Sequence, residues 1–138
     1  MSIVVQKFGG TSLADTDKIK NVARAVVKEK ELGNDVIVVV SAMGHTTDNL
    51  IKLAHEISAH PSEREMDMLM STGEQVSIAL LTMAIQEMGY SAVSMTGAQV
   101  GILTEETHSK ARIVDIKTDK LTQHIEDGKI IIVAGFQG

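Results

Sequence analysis

Four apolar segments recur along the chain and predict β-strands. They cover residues 2–8, 36–40 and 129–134, with a weaker one at about 90–95. The first three are nearly continuous runs rich in Val and Ile, which is typical of parallel strands covered on both faces. We therefore expect a buried sheet between layers of helices.

Helical periodicity fills the intervals between these strands. In residues 15–32, lysines and glutamates lie opposite an apolar stripe, and Gly33 is the expected end of the helix. The stripe consists of Ile19, Val22, Ala23, Val26 and Val27. A strand, a helix and a second strand form a β-α-β unit, whose right-handed crossover favours parallel pairing.

Two further helices are predicted in the middle of the chain. Residues 47–59 form one that ends at His60-Pro61, because proline disfavours helical geometry in the residue before it. Residues 62–88 form a long helical region, in which Gly73 is a possible interruption. The predicted fold class is α/β, a three-layer αβα arrangement with a mainly parallel sheet.

Three of the predicted strands end in glycine-containing loops, at residues 7–10, 41–44 and 135–138. Parallel strands would open all three loops on one edge of the sheet, where ligands of open α/β sheets bind. The alternative is that these glycines only form turns, as most glycines between regular elements do.

The first loop, Lys7-Phe8-Gly9-Gly10-Thr11-Ser12, has the chemistry of a phosphate site. Adjacent glycines allow φ > 0 and a close backbone approach, so that N–H groups converge on an anion. Lys7 adds a charge that can neutralise phosphoryl oxygens. The order of residues is not that of a Walker A loop. By itself, the hexapeptide fits an ordinary strand-to-helix turn equally well.

Glu74 is the second candidate, because it precedes a segment that is apolar on nearly every face and is therefore expected to be buried. A buried carboxylate is costly unless a positive group pairs with it, so Glu74 could receive a ligand ammonium. The alternative is a surface glutamate that stabilises a helix N-terminus through the dipole.

Hydroxyl groups surround the turn at Gly44. Capping of the following helix by Thr46 or Thr47 is the simpler interpretation. Alternatively, these hydroxyls and that of Ser41, beside a helix N-terminus, hold a substrate carboxylate.

Composition excludes several classes of function. The net charge of −5, from 18 acidic and 13 basic residues without a basic stripe, argues against nucleic acid as a partner. The absence of cysteine excludes disulfides and thiolate zinc sites and favours a reducing compartment. The five histidines lack metal-ligand spacing, so we expect no protein-bound metal.

The apolar runs are too short to cross a bilayer, and no signal peptide precedes them, which predicts a cytoplasmic protein without a membrane partner. Because only three residues are aromatic, the core must be built from aliphatic side chains and methionine. We expect five methionines to be packing residues. They are Met66, Met68, Met70, Met83 and Met88.

Four motifs, in order, closely resemble the aspartokinases within the amino-acid kinase family. They are VQKFGGTS at 5–12, VVVSAMG at 38–44, STGEQ at 71–75 and VAGFQG at 133–138. The resemblance extends over the whole chain. It implies an amino-acid kinase fold and transfer of the ATP γ-phosphoryl group to the side-chain carboxylate of L-aspartate, with magnesium carried by the nucleotide and assembly into a homo-oligomer.

The resemblance also implies a role for each motif. Lys7 would stabilise the migrating phosphoryl group, while Phe8, Gly9 and Gly10 line the nucleotide phosphates. Substrate-binding residues would be Ser41 at the same cleft, together with Thr47 and Glu74, and Glu74 would take the α-ammonium of aspartate.

The sequence departs from the family at its C-terminus. A Gly-Arg-Gly-Gly-Ser-Asp segment, the nucleotide lobe and the regulatory ACT domains would follow, so we expect residues 1–138 to be the amino-terminal, amino-acid-binding portion of a catalytic domain, nearly inactive alone. A non-catalytic binding or assembly module is the alternative. Another amino-acid kinase, such as one acting on acetylglutamate, fits the Ser41 and Glu74 segments less well.

Overall fold

The computed structural model describes residues 2–96, 99, 102–104, 113–116 and 119–135. Its strands are β1 (Ile3–Phe8), β2 (Asp35–Val40), β3 (Ala92–Met95), β4 (Ile102–Thr104), β5 (Ile113–Ile116) and β6 (Ile130–Ala134). The helices are α1 (Thr16–Glu31), α2 (Thr46–Ile57), α3 (Glu63–Glu87) and α4 (Asp119–Glu126), with a 3-10 helix at Gly10–Leu13.

The main sheet is parallel throughout. Its strand order is β1-β2-β6-β3. Val4 of β1 lies opposite Val36 of β2. Ile131 of β6 lies between Ile37 of β2 and Val93 of β3. β4 and β5, which the sequence analysis did not predict, form a separate antiparallel pair.

Helices cover both faces of this sheet, which confirms the three-layer αβα class. Ile130 and Ile132 of β6 face a core shared with α1 and α3. Ile131 and Val133 face the opposite way, where Leu121 and Ile125 of α4 pack against them. Because side chains alternate along a strand, β6 contributes to both cores and is buried at every position.

The expectation that all strands are covered on both faces is wrong for β1. Ile3 is 57% and Val5 62% exposed, on the face of the sheet that bears α4. β1 pairs only with β2 in the described part of the sheet, so it is an edge strand there.

Helix α1 begins and ends as its sequence predicts. The Asp15 carboxylate accepts a hydrogen bond from the backbone N–H of Lys18 at 2.8 Å, which caps the first turn. Gly33 follows the last turn with φ of +92°, a conformation that glycine adopts without strain.

Helix α3 has one buried face and one exposed face, although its sequence is apolar nearly all round. Ile78, Leu81 and Ile85 are buried. The predicted burial of the methionines is wrong for Met68, Met83 and Met88, which are exposed. By length and hydropathy α3 could cross a membrane, but the packed core helix of a soluble protein meets the same criteria.

Candidate functional site

The strand ends bring the glycine loops together, as predicted for parallel strands. β1, β2 and β6 are consecutive neighbours in the sheet. The backbone N–H of Ser41 donates to the Phe8 carbonyl at 3.3 Å, and that of Gly135 donates to the Val40 carbonyl at 2.8 Å. All three loops therefore start on one edge of the sheet, although residues 136–138 of the third lie outside the described residues.

Gly10 allows the first two loops to touch. A Cβ atom on Gly10 would lie 2.9 Å from the Ala42 carbonyl oxygen, and the Gly44 N–H donates to the Gly10 carbonyl at 2.9 Å. Gly9 has an extended φ of −86° with no atom near its Cβ position. The expectation that these glycines adopt φ > 0 is therefore wrong for both, and Gly10 is needed for close approach instead.

A 3-10 helix continues the first loop. The Ser12 N–H donates to the Gly9 carbonyl at 3.1 Å, and the fully buried Leu13 fixes the turn to the core. The first N–H groups of a helical turn have no partner within that turn, so they are available to an anion. The turn begins at Gly10, so it includes one of the two glycines to which the sequence analysis assigned the backbone donors.

Lys7 and Phe8 lie on opposite faces of β1. Lys7 is exposed, whereas Phe8 is half-buried against the core on the α1 side. An open cavity of about 280 Å³ lies between Phe8 and α1, with Ser12 and Lys18 at its polar end. Phe8 therefore supports the loop through packing, and Lys7 is the group of this pair that is free of the core.

Ser41 and Thr47 flank the second loop, but the predicted capping by a threonine side chain is wrong. Helix α2 begins at Thr46 after His45, and no side chain caps it. Instead, exposed His45 and Asp48 form a 3.5 Å contact across the first turn. Thr47 is half-buried, and the half-buried Ser41 hydroxyl donates to the Ala42 carbonyl at 3.4 Å.

Glu74 is buried, with 7% of its surface exposed. Helix α3 continues through Gly73, so the predicted interruption there is wrong, and the helix-dipole interpretation fails because Glu74 lies in mid-helix. A Cβ on Gly73 would lie 3.1 Å from Ala42 Cβ and 3.2 Å from Thr46 Cγ2. Gly73 thus lets α3 rest directly on the loop after β2, with Glu74 next to that contact.

Sequence reasoning missed one contributor to this site and a second buried carboxylate on α3. Ala42 is the small residue that both Gly10 and Gly73 contact closely. Asp67 is 5% exposed and lies seven residues before Glu74, hence on the same face of α3. The signal for Asp67 was its heptad spacing from Glu74, which places the two carboxylates on one face of α3.

Within residues 2–96 and the later described segments, no three acidic or histidine side chains lie close enough together to hold a metal ion. What the structure offers an anionic ligand is a set of backbone donors, a lysine and hydroxyls around three adjoining loops. The carboxylate of Glu74, which is buried on α3 next to Gly73, is suited to a ligand that also carries a positive charge.

An open parallel αβα sheet with adjoining glycine loops at its carboxyl edge defines a class of α/β proteins that bind small anionic ligands at that edge. Within that class, the chain belongs to the amino acid kinase family, whose family model matches residues 2–138.

The similar sequences are longer proteins. The chain is 61% identical over all 138 residues to an aspartokinase of Geobacillus stearothermophilus and 59% identical to aspartokinase 2 of Bacillus subtilis. It spans 34% of the length of each.

Solved structures share the fold. Aspartate kinase from Synechocystis superposes with a TM-score of 0.84 at 52% identity, over 100% of this chain and 22% of that one. E. coli aspartokinase III in complex with aspartate and ADP gives a TM-score of 0.82 at 22% identity, over 99% of this chain and 41% of that one. Giardia carbamate kinase gives a TM-score of 0.70 at 12% identity, over 96% of this chain and 57% of that one. Because their identities are low, aspartokinase III and carbamate kinase support the fold alone.

Proposed function

We propose that this chain is the amino-terminal, amino-acid-binding portion of an aspartokinase catalytic domain. The complete enzyme transfers the γ-phosphoryl group of ATP to the side-chain carboxylate of L-aspartate and gives 4-phospho-L-aspartate. The observation that carries the proposal is the buried Glu74, which directly follows Gly73 at the place where α3 contacts the loop after β2. The aspartokinase relatives support the choice of substrate.

The reaction needs charge neutralisation more than proton transfer. A carboxylate oxygen of aspartate attacks the γ-phosphorus and forms a new O–P bond, while the bond to the β–γ bridging oxygen breaks and ADP leaves with the electron pair. The attacking carboxylate is already an anion at neutral pH, so no general base is required.

Each candidate residue has a role that its position permits. The exposed Lys7 stabilises charge on the migrating phosphoryl group, and the turn after Gly9 and Gly10 donates backbone N–H groups to the phosphates. Ser41 and Thr47 hold a carboxylate of aspartate by hydrogen bonds. Glu74 pairs with the α-ammonium group.

The remaining assignments follow from this reaction. ATP brings Mg²⁺ on its phosphates, which needs few protein ligands. The protein acts in the cytoplasm, in amino-acid biosynthesis that includes lysine, and works as an assembly of several chains. Because the chain spans about a third of its relatives, we propose that it has almost no activity alone.

The test is a chimera in which residues 1–138 of this chain replace the matching third of the Geobacillus aspartokinase. We expect hydroxylamine trapping of aspartyl phosphate to detect turnover that depends on ATP and aspartate. In the chimera, Lys7→Ala should lower kcat by about 100-fold or more, as for loss of one group that stabilises transition-state charge. Glu74→Gln should mainly raise the KM for aspartate.

Lys52→Ala is the matched control, because this exposed lysine lies on α2 and outside the loops. It should leave kcat within about twofold, as surface substitutions usually do. Circular dichroism checks that each variant folds. An inactive chimera beside an active parent would refute the kinase assignment, and an unchanged kcat for Lys7→Ala would refute the role of Lys7.

A non-catalytic binding module is the second candidate, because the aspartate-side residues lie within this chain. Titration calorimetry of the 138-residue chain with aspartate and with Mg-ATP, in separate experiments, distinguishes the two. Aspartate binding with an inactive chimera would favour the module.

A further inference from the structure

Gly73 is a glycine in the interior of helix α3. Glycine at such a position destabilises a helix relative to alanine, because it loses more backbone entropy on folding. A Cβ atom here would lie 3.1 Å from Ala42 Cβ and 3.2 Å from Thr46 Cγ2. Both distances are shorter than the usual contact of about 3.5–4.0 Å between carbon atoms. The close approach of α3 to Ala42 and Thr46 therefore explains why this position lacks a side chain.

The core holds α3 in place directly after Gly73. The hydroxyl of the fully buried Ser77 donates to the Gly73 carbonyl at 3.4 Å, and Ile78 and Leu81 are buried in the larger core. A side chain at position 73 would have to displace the helix or its neighbours by a few tenths of an ångström. Because Glu74 is the next residue of the same rigid helix, its backbone would move with Gly73.

Ala42 contacts the first glycine loop through its backbone and α3 through its side chain. A Cβ atom on Gly10 would lie 2.9 Å from the Ala42 carbonyl oxygen, whereas the Gly73 position meets the Ala42 methyl group. The Gly44 N–H also donates to the Gly10 carbonyl at 2.9 Å, which joins the two loops. Ala42 is 5% exposed. A single small residue thus separates the loop after β1 from the helix that carries Glu74.

We propose that Ala42 and Gly73 are positioning residues for aspartate, because their contact sets the separation between the Glu74 carboxylate and the loop at Gly10. The role rests on the proposed function, in which Glu74 pairs with the α-ammonium group and that loop binds the phosphates of ATP. Neither Ala42 nor Gly73 needs to touch the substrate, since both act through Glu74.

The separation matters because aspartate must reach both groups at once. With its ammonium group at Glu74, its side-chain carboxylate has to meet the γ-phosphorus in line with the bond that breaks. A misplacement of about 1 Å, caused by a substitution away from the chemistry, can cost about 100-fold. Close-packed interiors transmit such shifts and do not absorb them. A contact between a methyl group and a glycine is therefore a precise spacer.

Addition of one methyl group tests the spacer in the chimera described above. Gly73→Ala should raise the KM for aspartate by about 3- to 10-fold, as for a displacement of a few tenths of an ångström at Glu74. The KM for Mg-ATP should stay within about twofold, because the contact of Ala42 with the first loop is unchanged. Alanine favours the helix, so the variant should remain folded, and circular dichroism checks this.

Removal of the opposing methyl group should rescue that variant. Ala42→Gly, combined with Gly73→Ala, eliminates the 3.1 Å contact and should return the KM for aspartate to within about twofold of the unsubstituted chimera. Should Gly73→Ala fail to fold, Gly73→Ala/Thr46→Ser is the milder variant. It relieves the contact with Thr46 Cγ2 but keeps that with Ala42, so the KM for aspartate should still rise and Ala42→Gly should still restore it.

Gly10→Ala is the matched comparison. Its added methyl group meets the Ala42 carbonyl oxygen, which glycine at position 42 retains. Gly10→Ala should raise the KM for Mg-ATP by about threefold or more, and Ala42→Gly should not restore it. Gln75→Ala is the control beside Glu74, because Gln75 is exposed and should leave both KM values within about twofold.

A purely structural role predicts a different result. Partial unfolding lowers the amount of active enzyme and hence the apparent kcat, but leaves both KM values unchanged. An active chimera in which Gly73→Ala leaves the KM for aspartate unchanged would therefore overturn the spacer and leave the proposed function standing. Equal rescue of Gly73→Ala and Gly10→Ala by Ala42→Gly would also overturn it, because the loop would then only have been loosened. An inactive unsubstituted chimera would refute the proposed function, and the positioning role with it.

Discussion

Gly9 and Gly10 are neighbours in the sequence, but their surroundings differ. Gly10 is pressed against the Ala42 carbonyl, and the Cβ position of Gly9 has no atom within 4 Å. Gly73 resembles Gly10, because it too closes onto Ala42. At this scale, the absence of a side chain at two positions decides how closely the loop after β1 and helix α3 approach the loop after β2.

We predict that Gly10→Ala destabilises the fold by about 1–3 kcal/mol, the usual cost of overpacking. Gly9→Ala is the matched control, and its effect should lie between about 0.5 kcal/mol of destabilisation and 1 kcal/mol of stabilisation, because φ of −86° suits alanine and the unfolded chain loses entropy. Urea unfolding measures both. Equal effects of the two substitutions would contradict the close-approach argument.

The helices and strands are joined by contacts that their own sequences do not reveal. Tyr90, just before β3, donates its hydroxyl hydrogen to Glu31 Oε1 at 3.0 Å, which links the end of α1 to the start of β3. This hydrogen bond, with desolvation and the charge of Glu31, raises the pKa of Tyr90 above its ordinary value. Glu31 favours the neutral phenol because its carboxylate accepts a hydrogen bond from the phenol O–H and repels the phenolate.

The raised pKa of Tyr90 predicts a pH dependence. Stability from this contact is fully present below the ordinary tyrosine pKa of about 10 and is lost as pH rises through the higher pKa of the folded state. Ultraviolet titration of the phenolate reports Tyr90 alone, because the chain has one tyrosine and no tryptophan. Glu31→Gln should lower the pKa, and Glu56→Gln on α2 should leave it unchanged.

A folded Glu31→Gln chain whose Tyr90 titrates as in the unsubstituted chain would show that Glu31 is not the cause. The same titration in urea gives the unfolded reference.

For the whole molecule, stability depends on two cores that share β6. Ile131 and Ile132 are fully buried on opposite faces of this strand, whereas Ile3 of β1 is exposed on the α4 side. In the described part of the chain, α1 and α3 on one face of the sheet and α4 on the other therefore pack against the same central strand.

Isoleucine-to-valine substitutions test this distribution of packing. Ile131→Val and Ile132→Val should each cost about 0.5–1.5 kcal/mol, because each removes a buried methyl group. Ile3→Val should cost less than about 0.5 kcal/mol, as for an exposed position. Urea midpoints at constant m value measure the differences. A cost for Ile3→Val equal to the others would show that its face of β1 is covered in solution.

Prediction from the sequence succeeded where a pattern is local and long. The strand at 36–40 and the helix at 15–32 were found to within a residue or so, since continuous apolar runs and a capped amphipathic period depend on neighbours in the chain. The prediction did not include α4, β4 and β5, whose eight, three and four residues are too short for a clear period. The apolar sequence of α3 also predicted burial all round, and only packing revealed its exposed side.

By itself, the sequence determined the α/β class, the parallel β-α-β order and the glycine loops at strand ends, because periodicity and chain handedness are properties of consecutive residues. The tertiary structure alone decided which glycine is needed for close packing, which face of α3 is exposed, and that α3 meets the loop after β2 at Gly73. These depend on contacts between residues far apart in the chain, such as Gly73 with Ala42, whose closeness arises only when the helices pack on the sheet.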